Sequence, residues 1–117
     1  MEVFGIVGAG IMGSDLAIFF AESGYRVILN DNDPARLAAA REKIHDRLTG
    51  YERKGRLDAT RMAELESRVE TREGLNEFAG ADIVIECVTE DLGIKKALFA
   101  ELDRVCRPGV VLASNTS

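Results

Sequence analysis

Glu2 to Val7 is a short apolar run that leads straight into Gly8-Ala9-Gly10-Ile11-Met12-Gly13. That hexapeptide fits G-x-G-x-x-G, and its setting restricts the fold more than any other feature of the chain. Alone the pattern is weak, because glycines meet this spacing by chance. Here Val3, Phe4, Ile6 and Val7 predict a buried strand, and a helix is predicted from about Ile11 to Ser23. The glycines therefore join a strand to a helix, the context in which the pattern has physical meaning. Gly8 makes the tight turn, Gly10 lets a pyrophosphate approach the backbone, and Gly13 lets the helix pack closely on the sheet. The helix opening offers N–H groups and the positive end of its dipole to phosphates. Gly8, Ala9, Gly10, Ile11, Met12 and Gly13 are accordingly candidates for cofactor binding.

The rest of the chain continues the alternation. The first helix turns Leu16, Ala17, Phe19 and Phe20 inward and stops at Gly24. Arg26 to Leu29 is a second strand. Pro34 opens a long helix that carries Leu37, Ile44, Leu48 and Tyr51 on one face and runs to Lys54-Gly55. Asp58 caps another helix with Met62 and Leu65 inward, and Val69 to Thr71 is a brief strand. Asp82 to Val88 is a strand, and Leu92 to Val105 is a helix with Ile94, Leu98, Leu102 and Val105 on one side. Pro108-Gly109 then turns the chain into a last strand, Val110 to Ala113. Strands separated by helices imply right-handed βαβ units and a parallel sheet. The expected fold is α/β, a doubly wound (Rossmann) sheet of order 3-2-1-4-5 with a long helical excursion after the second strand. All 117 residues are expected to form one dinucleotide-binding domain, with no second domain.

Asp31 ends the second strand, 18 residues beyond Gly13. A carboxylate there can accept hydrogen bonds from both adenosine ribose hydroxyls and would repel a 2′-phosphate. No arginine follows it immediately, so NAD is expected rather than NADP. The alternative is that Asp31 merely starts the Asn30–Pro34 turn. Asn32 is a further candidate, for the adenine edge. The net charge of -5 argues against nucleic acid and anionic membranes, which reward clustered Lys and Arg. No stretch approaches the roughly 20 apolar residues of a membrane span, and no leader peptide is visible. Two cysteines, Cys87 and Cys106, lack metal-type spacing and are too few for a disulfide framework. They read as reduced thiols, which places the protein in the cytoplasm.

Many oxidoreductases share these features. More selective are Glu86-Cys87-Val88-Thr89-Glu90-Asp91-Leu92, Lys95-Lys96 and the closing Ala113-Ser114-Asn115-Thr116-Ser117. Together with G-x-G-x-M-G and the long excursion they resemble the 3-hydroxyacyl-CoA dehydrogenase family across essentially the whole chain. The resemblance implies hydride transfer between C3 of an (S)-3-hydroxyacyl-CoA and NAD, in fatty-acid metabolism. It places Glu90 and Lys95 by the nicotinamide-side ribose, with Cys87 and Val88 also at the cofactor. It places Asn115 near the nicotinamide, and Ser117 at the nicotinamide and the substrate oxygen. Two lysines in a first helical turn oppose the dipole, which independently hints at a ligand role for one of them. Lys54 is similar in position to a family lysine that meets the coenzyme A phosphates, although a cation at a helix end is also routine capping. Arg47 stands where the family often has a small polar residue.

The family's catalytic histidine follows the next strand, and the only histidine here, His45, does not match it. The family's helical substrate and dimerisation domain has no counterpart either. The chain is therefore expected to be one part of a longer, homodimeric protein, able to bind NAD but not to catalyse alone. Two other readings are a stand-alone NAD-binding module and a fragment of a 3-hydroxyisobutyrate or 6-phosphogluconate type of dehydrogenase.

Overall fold

The computed structural model describes residues 2–87 and 91–114. β1 (Val3–Val7), β2 (Arg26–Asn30), β3 (Val69–Arg72), β4 (Ile83–Glu86) and β5 (Val111–Ser114) form one sheet in the order β3-β2-β1-β4-β5, every neighbouring pair parallel. The helices are α1 (Ile11–Glu22), α2 (Pro34–Arg53), α3 (Ala59–Ser67) and α4 (Leu92–Val105). The expected order and the long excursion, α2 with α3, are both present. Element ends differ from expectation by a residue or two. Asp82, for example, stands outside β4, where its Oδ2 accepts the Val3 N–H at 2.7 Å and its other oxygen pairs with Arg107. One short element was not anticipated, a 3-10 turn over Asn76–Gly80. Five residues are too few to show a period.

Each face of the sheet is sealed separately. On one face Ile6, Val27 and Leu29 meet Ala17, Ile18 and Ala21 of α1, then Leu37, Ala40, Ile44 and Leu48 of α2 and Leu65 of α3. A fully buried leucine such as Leu48 contributes roughly 1.5–3 kcal/mol against its exposed state. On the other face Val7, Ile28 and Val84 meet Phe78, Ala81, Leu102 and Cys106. The buried stripe of α1 runs through Gly13, Ser14, Ala17, Ile18 and Ala21, not through Phe19 as expected. Residue 19 lies one helical step (about 100°) off that stripe, and its ring is 60% exposed. Phe20 instead stacks on Phe4 with ring centroids 4.0 Å apart. His45 is at the surface, bonded through Nδ1 to Glu66 of α3 at 2.6 Å. No helix of the described residues is long and apolar enough to cross a membrane.

Candidate functional site

In a doubly wound sheet the switch point, here between β1 and β4, opens a crevice at the carboxyl ends of the strands. A cleft of about 760 Å³ lies there, lined by the ends of β1, β2 and β4 together with Asn32, Arg36, Glu73, Leu75, Ile94, Leu98 and Glu101. Of the expected cofactor residues it gathers Gly8, Gly10, Asp31, Asn32 and Cys87.

The glycine turn is built as follows. Gly8 has φ +107°, a conformation that side-chain-bearing residues rarely adopt, and its N–H donates to the Asn30 carbonyl at 2.7 Å. A Cβ on Gly13 would lie 1.8 Å from the Gly8 carbonyl oxygen. Gly13 is thus required mainly by the turn itself; the nearest sheet atom, Ile6 Cγ2, would be 3.5 Å away. This corrects the expectation that it serves helix–sheet packing. A Cβ on Gly10 would meet nothing within 4 Å, so the surface over this residue is open.

α1 then opens without help from a side chain. Its N-cap, Gly10, makes no side-chain cap hydrogen bond. The other three helices are each capped by an aspartate, Asp33, Asp58 and Asp91, which accepts a backbone N–H of the first turn. A helix that opens at a cleft without a side-chain cap turns the positive end of its dipole toward an anion. Ile11 and Met12, expected at the cofactor, have side chains 76% and 50% exposed and do not line the cleft. What this segment can offer a phosphate is backbone.

Asp31 is 5% exposed. Its Oδ2 accepts the Ala9 N–H at 3.0 Å and its Oδ1 accepts the Asp33 N–H at 3.0 Å. Asp31 therefore does organise the turn after β2, and it also locks that turn to the glycine loop. Each carboxylate oxygen can accept about two hydrogen bonds, so one remains on each for a diol. Arg36, five residues on, brings Nη1 to 3.8 Å of Asp31 Oδ2. An arginine absent from the adjacent sequence is therefore present in space.

Two pairings had no signal in the sequence. Asn30, 4% exposed, donates from Nδ2 to the carbonyls of Arg72, Glu73 and Gly74 at 3.1, 3.1 and 2.9 Å. This clamp carries the chain after β3 to the cleft, where Glu73 and Leu75 form one wall. The second is Glu86, fully buried at the end of β4, with Lys95 Nζ 3.5 Å from its Oε1. The buried carboxylate accounts for a cation in the first turns of α4, the feature that had suggested a ligand role. Lys95 does not line the cleft.

Lys54 is exposed at the C-cap of α2, outside the cleft. Arg47 turns to α1 and pairs with Asp15 Oδ1 at 2.8 Å. The expected roles of Val88, Glu90, Asn115 and Ser117 fall outside the described residues.

Residues 3–117 match the family described as "3-hydroxyacyl-CoA dehydrogenase, NAD binding domain". A probable 3-hydroxybutyryl-CoA dehydrogenase of Bacillus subtilis is 36% identical over 96% of this chain and 39% of its own length. The 3-hydroxyadipyl-CoA dehydrogenase of Escherichia coli is 36% identical over all of this chain and 25% of its own length. The crystal structure of a 3-hydroxybutyryl-CoA dehydrogenase from Escherichia coli superposes with a TM-score of 0.95 at 36% identity, covering 99% of this chain and 25% of that one. That of an (S)-3-hydroxybutyryl-CoA dehydrogenase from Ralstonia eutropha gives 0.94 at 29% identity, covering 100% and 41%. The chain thus spans between a quarter and about two fifths of these relatives. Matched from Val3 to its last residue, it belongs to the 3-hydroxyacyl-CoA dehydrogenase family, as that family's NAD-binding domain.

Proposed function

We propose that this chain is the cofactor-holding part of an enzyme that moves hydride between C3 of an (S)-3-hydroxyacyl-CoA and NAD. One observation carries the reading: the uncapped opening of α1 and the Asp31 carboxylate are tied together by the Ala9 N–H, on the floor of one cleft. The pyrophosphate of NAD fits over Gly10, where no Cβ intrudes, and meets the first turn of α1. The adenosine ribose hydroxyls donate to the two oxygens of Asp31, and Leu75, Ile94 and Leu98 supply apolar surface for the adenine. When bound, the nicotinamide supplies the hydride acceptor. Cys87, Val88, Glu90, Lys95 and Asn115 are assigned to the nicotinamide side, and Ser117 to positioning the substrate oxygen. That assignment rests on the family pattern.

The proton chemistry needs a base from elsewhere in the protein. His45 sits on α2, bonded to Glu66, and does not line the cleft. The acyl-CoA substrate, a helical domain that completes its site and a homodimeric assembly belong to the same proposal. Lys54 is assigned to the coenzyme A phosphates, and its exposure at the end of α2 suits a phosphate partner. Two cysteines outside any disulfide suit the cytoplasm: burial pushes the Cys106 thiol up, with Asp103 adding to the effect, so it stays protonated and inert.

Calorimetric titration of the full chain with NADH tests the reading, beside Asp31→Ala. Two hydrogen bonds to a charged acceptor are lost in that variant, so affinity should fall about a hundredfold. No heat with NADH from folded protein, or an unchanged affinity in Asp31→Ala, overturns it.

A further inference from the structure

We propose that Arg36 sets how strongly the cleft excludes a 2′-phosphate, so that the chain keeps measurable affinity for NADPH despite Asp31. The proposal rests on the reading that Asp31 holds the adenosine ribose. In that pose the 2′ position lies at the carboxylate, and Arg36 is the charged group already there. Its Nη1 is 3.8 Å from Asp31 Oδ2 and its Nε 3.9 Å from Asp33 Oδ2. Both separations exceed hydrogen-bond reach, so neither acid holds the guanidinium in place. The side chain is 65% exposed. An ion pair of this kind contributes almost nothing to folding. The guanidinium is instead free to turn its planar fork onto a phosphate, a match that lysine does not provide bidentately.

The charge around it makes the role specific. Among the described residues that line the cleft, Arg36 is the single cation, and the acids there are Asp31, Glu73 and Glu101. Asp33 adds a fourth carboxylate next to the guanidinium. Without Arg36, no cation among the described residues lining the cleft would offset Asp31 and its neighbour Asp33 against a 2′-phosphate. NADH carries no charge at that position, so its affinity should scarcely depend on Arg36.

Fluorescence titration of the full chain with NADH and with NADPH, at one fixed ionic strength, measures both affinities. NADH should bind more tightly. Arg36→Ala should raise the NADPH Kd about tenfold while moving the NADH Kd by less than about threefold. Arg36→Lys, which keeps the charge and loses the fork, should fall between the two. The inference fails if Arg36→Ala weakens both cofactors equally, if it changes neither, or if the parent chain shows no NADPH binding at about 10 mM. Those outcomes stand apart from a failure of the underlying reading, in which the parent binds no NADH or ignores Asp31→Ala.

Discussion

Two helices open beside the same cleft, and they are finished in opposite ways. α1 begins at a glycine that makes no side-chain cap hydrogen bond. α4 begins at Asp91, whose Oδ1 accepts the Ile94 N–H at 3.0 Å. The first end turns backbone and the positive end of its dipole outward with no side-chain cap. The second is closed by its own chain and offers the cleft apolar side chains, Ile94 and Leu98, in place of backbone. A helix end is thus either a structural terminus or a binding element, and one residue type at the N-cap decides between them.

The largest effect should come from crowding the turn that precedes α1. In Gly13→Ala the new Cβ overlaps the backbone oxygen of Gly8, which no rotamer change relieves. We expect a loss of about 3 kcal/mol in urea unfolding, with NADH binding lost at the same time. Normal stability in this variant would show that the turn yields.

Gly10→Asp attacks the contrast itself, by giving α1 the cap that α4 has. Gly10 has φ -78° and ψ -160°, extended backbone that any residue adopts, and its Cβ meets nothing. The fold should be unchanged or gain up to about 0.5 kcal/mol. NADH affinity should fall at least about a hundredfold, because a carboxylate then occupies the phosphate seat. A stable variant that still binds NADH would dissolve the distinction between the two helix ends. The reverse experiment is smaller. Asp91→Ala removes the cap of α4, so it should cost about 1 kcal/mol of stability, with NADH affinity changed by less than about threefold. A large loss of binding at unchanged stability would make α4 a ligand seat as well.

The α1 end was legible in the sequence and the opposite wall was not, for a physical reason. Gly8, Gly10, Gly13 and Asp31 act through local backbone geometry, and the strand and helix periods around them are local too. The sheet order followed from the same alternation. Asn30 looked like one more turn residue, because its partners lie 42 to 44 residues away. Glu86 and Lys95 were visible as residues, yet their pairing depends on how α4 returns over β4. No arginine follows Asp31 immediately in the sequence, and one turn of α2 brings Arg36 back to it. The exposure of Ile11 and Met12 was also hidden, because a motif names positions and not the direction in which their side chains point.

The weakest expected effect concerns what holds α1 to α2 just behind the uncapped end. Asp15 accepts from Lys43 Nζ at 3.1 Å and pairs with Arg47 Nη1 at 2.8 Å, and Lys43 also donates to the Ile11 carbonyl at 3.3 Å. Burial alone would push the Asp15 carboxyl up, but the hydrogen bonds and charges of Lys43 and Arg47 outweigh it and hold the group below its ordinary value of 3.8. A carboxyl depressed in the folded state stabilises the fold above its unfolded pKa, and that contribution fades as the pH falls through the folded value. Asp15 therefore contributes fully at neutral pH and only loses its effect below about pH 4. The group is 46% exposed, so solvent and salt screen the cluster, and Asp15→Asn should cost no more than about 0.5 kcal/mol at pH 7. Unfolding curves of parent and variant should converge as the pH drops below about 4, and 1 M salt should narrow the gap at pH 7. A gap that did not narrow as the carboxyl is protonated would mean that the variant acts through altered hydrogen bonding and not through the lost charge.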